Sequence, residues 1–151
     1  MFFAWASPSH YKPRRWQEGQ FEYYDDEWGN IWRRMAEGCA KGEIFTPALT
    51  DWSQLATYNP PHYDEEALAA HFRKSFAASD SSLFRVAGIG GWIFDNARYL
   101  RKMEVYFEDM ALHPEELHRL HALVAGVYEI KIRAVSYTHL RAHETPEHLV
   151  C

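Results

Sequence analysis

Aromatic residues are dense between residues 21 and 35, and a good turn centre lies among them, which predicts β-structure. The segment FEYYDDEWGNIWRRM, residues 21–35, predicts two short strands around a turn at Gly29-Asn30, and KGEIFTPAL, residues 41–49, predicts a third strand. Residues 1–20 show no such pattern and are predicted to be an irregular N-terminal segment. The pattern therefore predicts a β-hairpin region near the N-terminus.

Helical spacing replaces this pattern from residue 51 onward. Asp51 is expected to cap a short helical turn that runs through Leu55, because Gln54 follows three residues later. Asp64 is expected to cap a longer helix. The apolar residues of that helix recur at helical spacing and predict one buried face: Leu68, Phe72 and Phe76.

The apolar run LFRVAGI, residues 83–89, predicts a strand that is buried on both faces, as in a parallel sheet. Residues 92–101 are predicted to form the next helix. A second helix is expected to bury the stripe Met103, Tyr106, Phe107, Met110 and Ala111. A third is expected to begin at His113-Pro114 and to bury Leu117, Leu120, Val124 and Val127. Strand, glycines and helices in this order are typical of an α/β protein.

The C-terminal segment VSYTHLRAHETPEHLVC has an unusual origin. Translated back into codons, VSYTHLRAHET is one frame of a transposase-based sequencing adapter, and HLVC fits the flow-cell end that follows it. Segments of this kind are excluded from fold reasoning. We therefore expect residues 135–151 to be a non-native, adapter-encoded tail, and the chain to be a truncated fragment.

The charge balance is mildly acidic, with a net charge of −5. It gives no electrostatic basis for binding nucleic acid or an anionic membrane surface, and no apolar run reaches the ~20 residues needed to span a bilayer. Cys39 is the one cysteine outside the expected tail and has no partner for an internal disulfide, which favours a reducing compartment. We expect a cytoplasmic protein with no nucleic-acid or membrane partner; its oligomeric state stays open.

Two groups of residues have the ligand chemistry that zinc prefers. The first belongs to the expected tail and is set aside for that reason: His139, His143, His148 and Cys151. The second lies on the last predicted helix and just before it: His113, His118 and His121. Short histidine spacings without a carboxylate in register are weak signals, and a solvated outer face is the favoured interpretation. No metal site is predicted.

Two further motifs each have two interpretations. The acidic run Asp25-Asp26-Glu27 is either a paired-carboxylate or hard-cation site, or the ordinary polarity of a turn and an edge strand, which is favoured. The segment Gly88-Ile89-Gly90-Gly91 follows a predicted strand, where backbone amides can bind an anion. Close packing of strand against helix explains it equally well. Ile93 stands where a dinucleotide-binding fingerprint needs a third glycine.

Two longer stretches resemble a known family. They are LFRVAGIGGWIFDNARYLRKMEVYFEDMALHPEELHRLHALVAGVYE and, upstream, DEWGNIWRR with GEIFTPALTDWSQLATYNPP. Over roughly residues 22–133 the chain resembles the uroporphyrinogen decarboxylase superfamily, which includes corrinoid-linked methyltransferases. The shared features are a strand that ends in a Gly-rich turn, a helix that ends near an L-R-G-M-E motif, and acidic helices that begin at HPE.

The resemblance implies an α/β fold in which residues 21–134 form part of a (β/α)8 TIM barrel. It implies a parent lyase of porphyrin biosynthesis that decarboxylates the acetate side chains of a porphyrinogen without a cofactor, and a fragment that is inactive alone. The alternatives are a corrinoid-dependent methyltransferase, which would use zinc and a corrinoid, and a non-catalytic barrel binding protein. The implied partner is a small-molecule tetrapyrrole or a methyl donor.

No catalytic residue of the family transfers to this chain, because its N-terminal and late active-site portions have no counterpart here. Lys102 stands where the family usually has the glycine of L-R-G-M-E. By their position on the Gly-rich turn and the following helix, five residues are expected to line a substrate pocket: Gly90, Gly91, Trp92, Asp95 and Tyr99.

Overall fold

A computed structural model describes the chain at residues 1–6, 11–38, 42–90 and 92–139. The strands in this part of the chain are β1 Phe2–Trp5, β2 Arg15–Glu18, β3 Phe21–Asp25, β4 Ile31–Met35, β5 Glu43–Thr46 and β6 Arg85–Gly88. The helices are a 3-10 helix Trp52–Ala56, α1 Glu65–Ala77, α2 Ile93–Arg101, α3 Met103–Leu112 and α4 Pro114–His139. The described residues fall into two compact units, within Met1–Ser7, Tyr63–Gly90 and Tyr128–Cys151, and within Pro8–His62 and Gly91–Val127.

The first unit packs a helix on a two-stranded parallel sheet. β1 pairs with β6 in a register that runs from Phe2↔Arg85 to Trp5↔Gly88. Side chains alternate between the faces of a strand, so Phe2 and Ala4 turn toward the helix. They contribute to the core of this unit, whose buried members are Ala4, Leu68, Ala69, Phe72, Phe76 and Ala134.

The start of α1 follows the sequence signal. The Asp64 side chain accepts a hydrogen bond from the Ala67 amide at 2.8 Å, and acidic residues fill the first turn, where the helix dipole favours them. The predicted apolar stripe is buried: Leu68, Phe72 and Phe76. The prediction of this helix and of its buried face is confirmed.

The second unit contains a four-stranded antiparallel sheet in the order β2-β3-β4-β5. The predicted hairpin is confirmed, since β3 and β4 pair across the turn and Gly29 has φ +82°, which a glycine adopts without strain. The predicted third strand is β5. The predicted turn after Asp51 is the 3-10 helix, with Asp51 and Gln54 forming a capping box.

The partial barrel expected from the resemblance is wrong. Among the described strands only β1 and β6 pair in parallel, and the other four form one antiparallel sheet. The physical reason is the connections: short turns join antiparallel neighbours, whereas each parallel pair of a barrel needs a crossover segment. β6 is also half-buried along its length rather than buried on both faces. β1 and β2 lie within residues 1–20, for which no element was predicted.

The helices of the second unit are confirmed in position, but one buried face is not. α3 buries Tyr106 and Asp109, while Met103, Phe107 and Met110 of the predicted stripe are about half exposed. The predicted stripe of α4 is buried: Leu117, Leu120, Val124 and Val127. No helix in the described part of the chain combines the length and apolar character that crossing a bilayer requires.

Candidate ligand-binding cleft

A cleft of about 300 Å³ opens in the second unit, beside the antiparallel sheet and at the corner between α2 and α3. Its lining combines aromatic rings with charges of both signs. The lining residues are Trp32, Gly42, Glu43, Ile44, Arg98, Tyr99, Lys102, Met103 and Glu104. Concave sites with apolar walls and a few polar groups are where proteins bind small molecules.

Two aromatic rings form the apolar wall of the cleft. The Trp32 ring, from β4, meets the Tyr99 ring, from α2, edge to face with centroids 4.9 Å apart. On the sheet, Trp32 also stacks on Tyr24 at 6.0 Å with the ring planes nearly parallel. Such pairs contribute beyond the area they bury and fix the orientation of the rings. The wall is therefore preformed.

Asp26 fixes the orientation of the Trp32 ring through a hydrogen bond. Its Oδ2 accepts a hydrogen bond from Trp32 Nε1 at 2.6 Å and another from Asn30 Nδ2 at 3.0 Å. Its Oδ1 accepts from the amides of Trp28 and Asn30 at 3.0 and 2.9 Å. A carboxylate with four donors is a fixed acceptor, so it stabilises both the hairpin turn and the indole.

Arg98 brings a positive charge to the cleft. Its Nη2 donates to Asp95 Oδ1 at 2.7 Å, and its guanidinium lies 5.0 Å from the centroid of the Tyr99 ring. Its buried Nε has no hydrogen-bond acceptor among the described residues. A buried donor without an acceptor costs free energy, which an added acceptor would recover.

Lys102 brings a second positive charge from an unusual backbone. It is both the C-terminal cap of α2 and the N-terminal cap of α3, with φ 67° and ψ 143°. Residues other than glycine rarely adopt such backbone angles, because the conformation costs them about 1–3 kcal/mol. The side chain is exposed at the cleft and forms no ion pair with any residue that the structure describes.

The acidic side of the lining is partly neutralised. Glu43 forms an ion pair with Arg33 of the neighbouring strand. Glu104 lies in the first turn of α3, where the helix dipole favours a carboxylate. Gly42 allows the backbone to pass close to Arg33, because a Cβ there would lie 2.9 Å from the backbone oxygen of Arg33. The cleft thus presents two cations against two carboxylates, of which one already has a partner.

The structure separates the five residues predicted to line a pocket. Tyr99 lines the cleft, and Asp95 supports it one contact away through Arg98. Trp92 is 73% exposed and is not part of the lining. Gly90 belongs to the first unit, and Gly91 lies outside the described residues.

The cleft residues that the sequence did not single out come from two distant segments. Trp32 was assigned to a strand and Arg98 to a helix, but no local signal joins them. The sequence did mark Lys102, as a lysine where the superfamily that the chain resembles usually has a glycine, and that is where the positive φ occurs. A lysine at a position that suits glycine was the one signal available.

The acidic run at residues 25–27 has a structural role at its first two positions. Asp25 is buried and accepts hydrogen bonds from the amide and Nε of Arg14 at 2.7 and 2.5 Å. Burial alone would raise the pKa of Asp25, but the hydrogen bonds from Tyr11 and Arg14 outweigh it and hold the pKa below its usual value. Burial and the bond to Asp25 raise the pKa of Tyr11 to about 12.

We expect Asp25→Asn to lower the free energy of unfolding by about 1–2 kcal/mol at neutral pH and to flatten its dependence on acid pH. The folded-state pKa of Asp25 is lowered, so its contribution is present above the unfolded pKa of about 3.9 and is lost as the pH falls through the folded value. Urea unfolding at a series of pH values measures both effects. Glu37→Gln, at an exposed carboxylate, is the control; equal acid slopes for Asp25→Asn and wild type would contradict the prediction.

The histidines near the start of α4 do not form a metal-binding face. Tyr106 Oη and His121 Nε2 are hydrogen-bonded at 2.8 Å, with the two rings stacked. Burial, followed by the charge of His118, holds the pKa of His121 below its usual value. His113 lies against the Trp52 ring. Across the described ranges no group of three or more histidine, cysteine or acidic residues could hold a metal ion.

The structure does not describe the side chains of the other candidate zinc ligands or of the cysteine from which a reducing compartment was predicted. The side chain of His139 is not described, and His143, His148, Cys151 and Cys39 lie outside the described residues.

The chain matches no protein-family model, no curated protein and no solved structure. The resemblance to the uroporphyrinogen decarboxylase superfamily therefore stays a prediction.

Proposed function

We propose that this protein binds a small planar organic molecule in the cleft beside Trp32 and Tyr99. The observation that carries the proposal is the preformed pair of rings that meet edge to face, with centroids 4.9 Å apart, in the wall of a concave site. Aromatic rings bind flat ligands by stacking and edge contacts, and a wall that is already ordered costs little entropy on binding.

The size of the cleft sets the size of the ligand. Small-molecule pockets span about 300–1,000 Å³, so a cleft of about 300 Å³ suits a molecule of one or two fused rings. At the ligand efficiencies usual for such molecules, we expect a dissociation constant on the order of 0.1–1 mM for a simple probe such as indole-3-acetate. A natural ligand that fills the cleft better would bind more tightly.

The enzymatic predictions stay separate from this proposal. Decarboxylation of a porphyrinogen, or methyl transfer with zinc and a corrinoid, is a hypothesis that rests on the sequence resemblance. The two cations in the cleft are groups that an acetate side chain would need, and the cleft is smaller than a whole tetrapyrrole requires. A cytoplasmic location likewise stays a prediction from cysteine usage. Incubation with uroporphyrinogen, followed by analysis for decarboxylated products, tests the lyase hypothesis directly.

Titration with indole-3-acetate, followed by amide and indole NMR signals, tests the binding proposal. We expect saturable shifts for the cleft residues, and at least a tenfold weaker affinity in Trp32→Ala, because stacking on one ring contributes about 1–3 kcal/mol. Tyr99→Ala tests the other ring of the wall without touching the hydrogen bond between Trp32 and Asp26.

Trp92→Ala is the matched control, since it removes an exposed indole that does not line the cleft. We expect it to bind the probe as the wild type does. If Trp92→Ala abolished binding and Trp32→Ala did not, the pocket predicted from the sequence would be correct and the cleft would be the wrong site. Absence of saturable binding to the wild type would contradict the proposal itself.

A further inference from the structure

We infer that the ligand of this cleft carries a single carboxylate, and that Lys102 is the residue that selects it. This inference rests on the proposed function and narrows it from flat molecules in general to flat monoanions. It depends on three observations: the backbone at Lys102, the lack of an ion pair for its ammonium group among the described residues, and the charges around it.

The backbone conformation shows that a lysine is costly at this position. Among the described residues Lys102 is the one non-glycine residue with a positive φ. A glycine would join α2 to α3 there without a steric penalty. A side chain that is kept against this penalty needs a compensating role, and the Lys102 side chain lines the cleft.

Helix electrostatics does not supply that role. A cation is favoured at the end of α2, but that end already carries Arg98 and Arg101 in its last turn. The same residue precedes the first turn of α3, where the helix dipole disfavours a positive charge. The two contributions oppose each other, so neither explains the lysine.

A ligand anion would pair with the positive charge of Lys102. The Lys102 ammonium has no ion pair in the described part of the chain, whereas Arg98 beside it is already paired with Asp95. The N-terminal end of α3, where the helix dipole is positive, adds to the positive potential. Glu43 and Glu104 limit this potential, so a second negative charge on the ligand would meet repulsion.

The substrate class is therefore an aromatic or similarly flat monocarboxylate, bound with its ring against Trp32 and Tyr99 and its carboxylate at Lys102. A neutral molecule of the same shape lacks the ionic contact. A phosphate dianion carries one charge too many for the lining.

Three probes of matched shape test this selection: indole, indole-3-acetate and indoxyl phosphate. With the wild type we expect indole-3-acetate to bind about five- to tenfold more tightly than either of the others. Lys102→Gln, which keeps a side chain on the strained backbone but removes the charge, should reduce this preference to within twofold, because the ionic contact to the carboxylate is lost. Lys12→Gln, at an exposed lysine outside the cleft, is the charge-matched control and should retain it.

Lys102→Gly gives a second, independent readout. We expect it to lose the carboxylate preference and to melt at a higher temperature than both the wild type and Lys102→Gln, because glycine relieves the backbone. Equal preference in wild type and Lys102→Gln would overturn the inference and leave the binding proposal intact. No saturable binding of indole or indole-3-acetate to the wild type would overturn both.

Discussion

Asp109→Ala is expected to lower the free energy of unfolding by about 3–5 kcal/mol, because it leaves the buried Arg101 without its counter-charge. Arg101 and Asp109 are 5% and 3% exposed, and Arg101 Nε donates to Asp109 Oδ2 at 2.8 Å. Trp52 Nε1 also donates to Asp109 Oδ1, at 3.1 Å. The substitution therefore removes the acceptor of the buried Arg101 guanidinium and of the partly buried Trp52 indole at once.

Urea unfolding followed by circular dichroism measures this loss. Glu108→Ala is the matched control, since it removes an exposed carboxylate one residue earlier on the same helix. We expect that control to stay within about 0.5 kcal/mol of wild type. A loss below about 1 kcal/mol for Asp109→Ala would mean that Arg101 finds water or another acceptor, and so is not buried as the structure has it.

The same pair fixes the corner on which the cleft depends. Arg101 Nη1 donates to the Leu49 carbonyl at 2.8 Å, and the Leu49 amide donates to the Leu100 carbonyl at 3.0 Å. The Arg101 guanidinium also lies 4.2 Å from the centroid of the Trp52 ring. These contacts hold the end of α2 against the segment before the 3-10 helix. Lys102, with its strained φ of 67°, follows directly at this corner.

Features with a local cause could be predicted from the sequence. A glycine in the hairpin turn, the capping box of Asp51 with Gln54, and the cap at Asp64 each act over a few residues, and all three are present. Helical spacing also identified the buried faces of α1 and α4. In these cases one short segment contains both the cause and the effect.

Features that join distant segments could not be predicted in this way. β1 pairs with β6, which lies about 80 residues later in the chain, so residues 1–20 were expected to be irregular. On α3 an apolar stripe was expected to be buried, but the buried side contains Asp109, because Arg101 on another helix compensates it. A hydrophobicity pattern predicts that a charged residue is exposed, because it contains no information about an ion-pair partner elsewhere in the chain.

In the candidate site, too, the local feature could be predicted and the contact between distant segments could not. Tyr99 was predicted from its place on a helix after a Gly-rich turn, and it lines the cleft. Trp32 completes the wall from a strand that was predicted only as part of a hairpin, and the contact between the two rings exists only in three dimensions. The barrel failed for a related reason, since a family resemblance supplied parallel strands where short turns dictate antiparallel ones.

Phe72→Ala is expected to be the most damaging substitution in the first unit, with a loss of about 3–5 kcal/mol in the free energy of unfolding. Phe72 has no exposed surface and stacks on Phe76 at 6.0 Å, and Phe76 in turn meets Phe2 edge to face at 6.3 Å. Removing this fully buried ring leaves a cavity in a core that is small and has few other large side chains. Closing that cavity would require α1 to shift toward the sheet.

Phe84→Ala is the matched control in the same unit, because it removes an identical ring that is 70% exposed. We expect it to cost less than about 1 kcal/mol, since most of that ring is already in water. Phe72→Leu should fall between the two, because it keeps most of the apolar volume and loses the stacking on Phe76. Equal losses for Phe72→Ala and Phe84→Ala would show that α1 does not turn the face of Phe72 toward the sheet. The pair β1 and β6 would then not be stabilised by α1, although two strands need a packed apolar face to be stable in water.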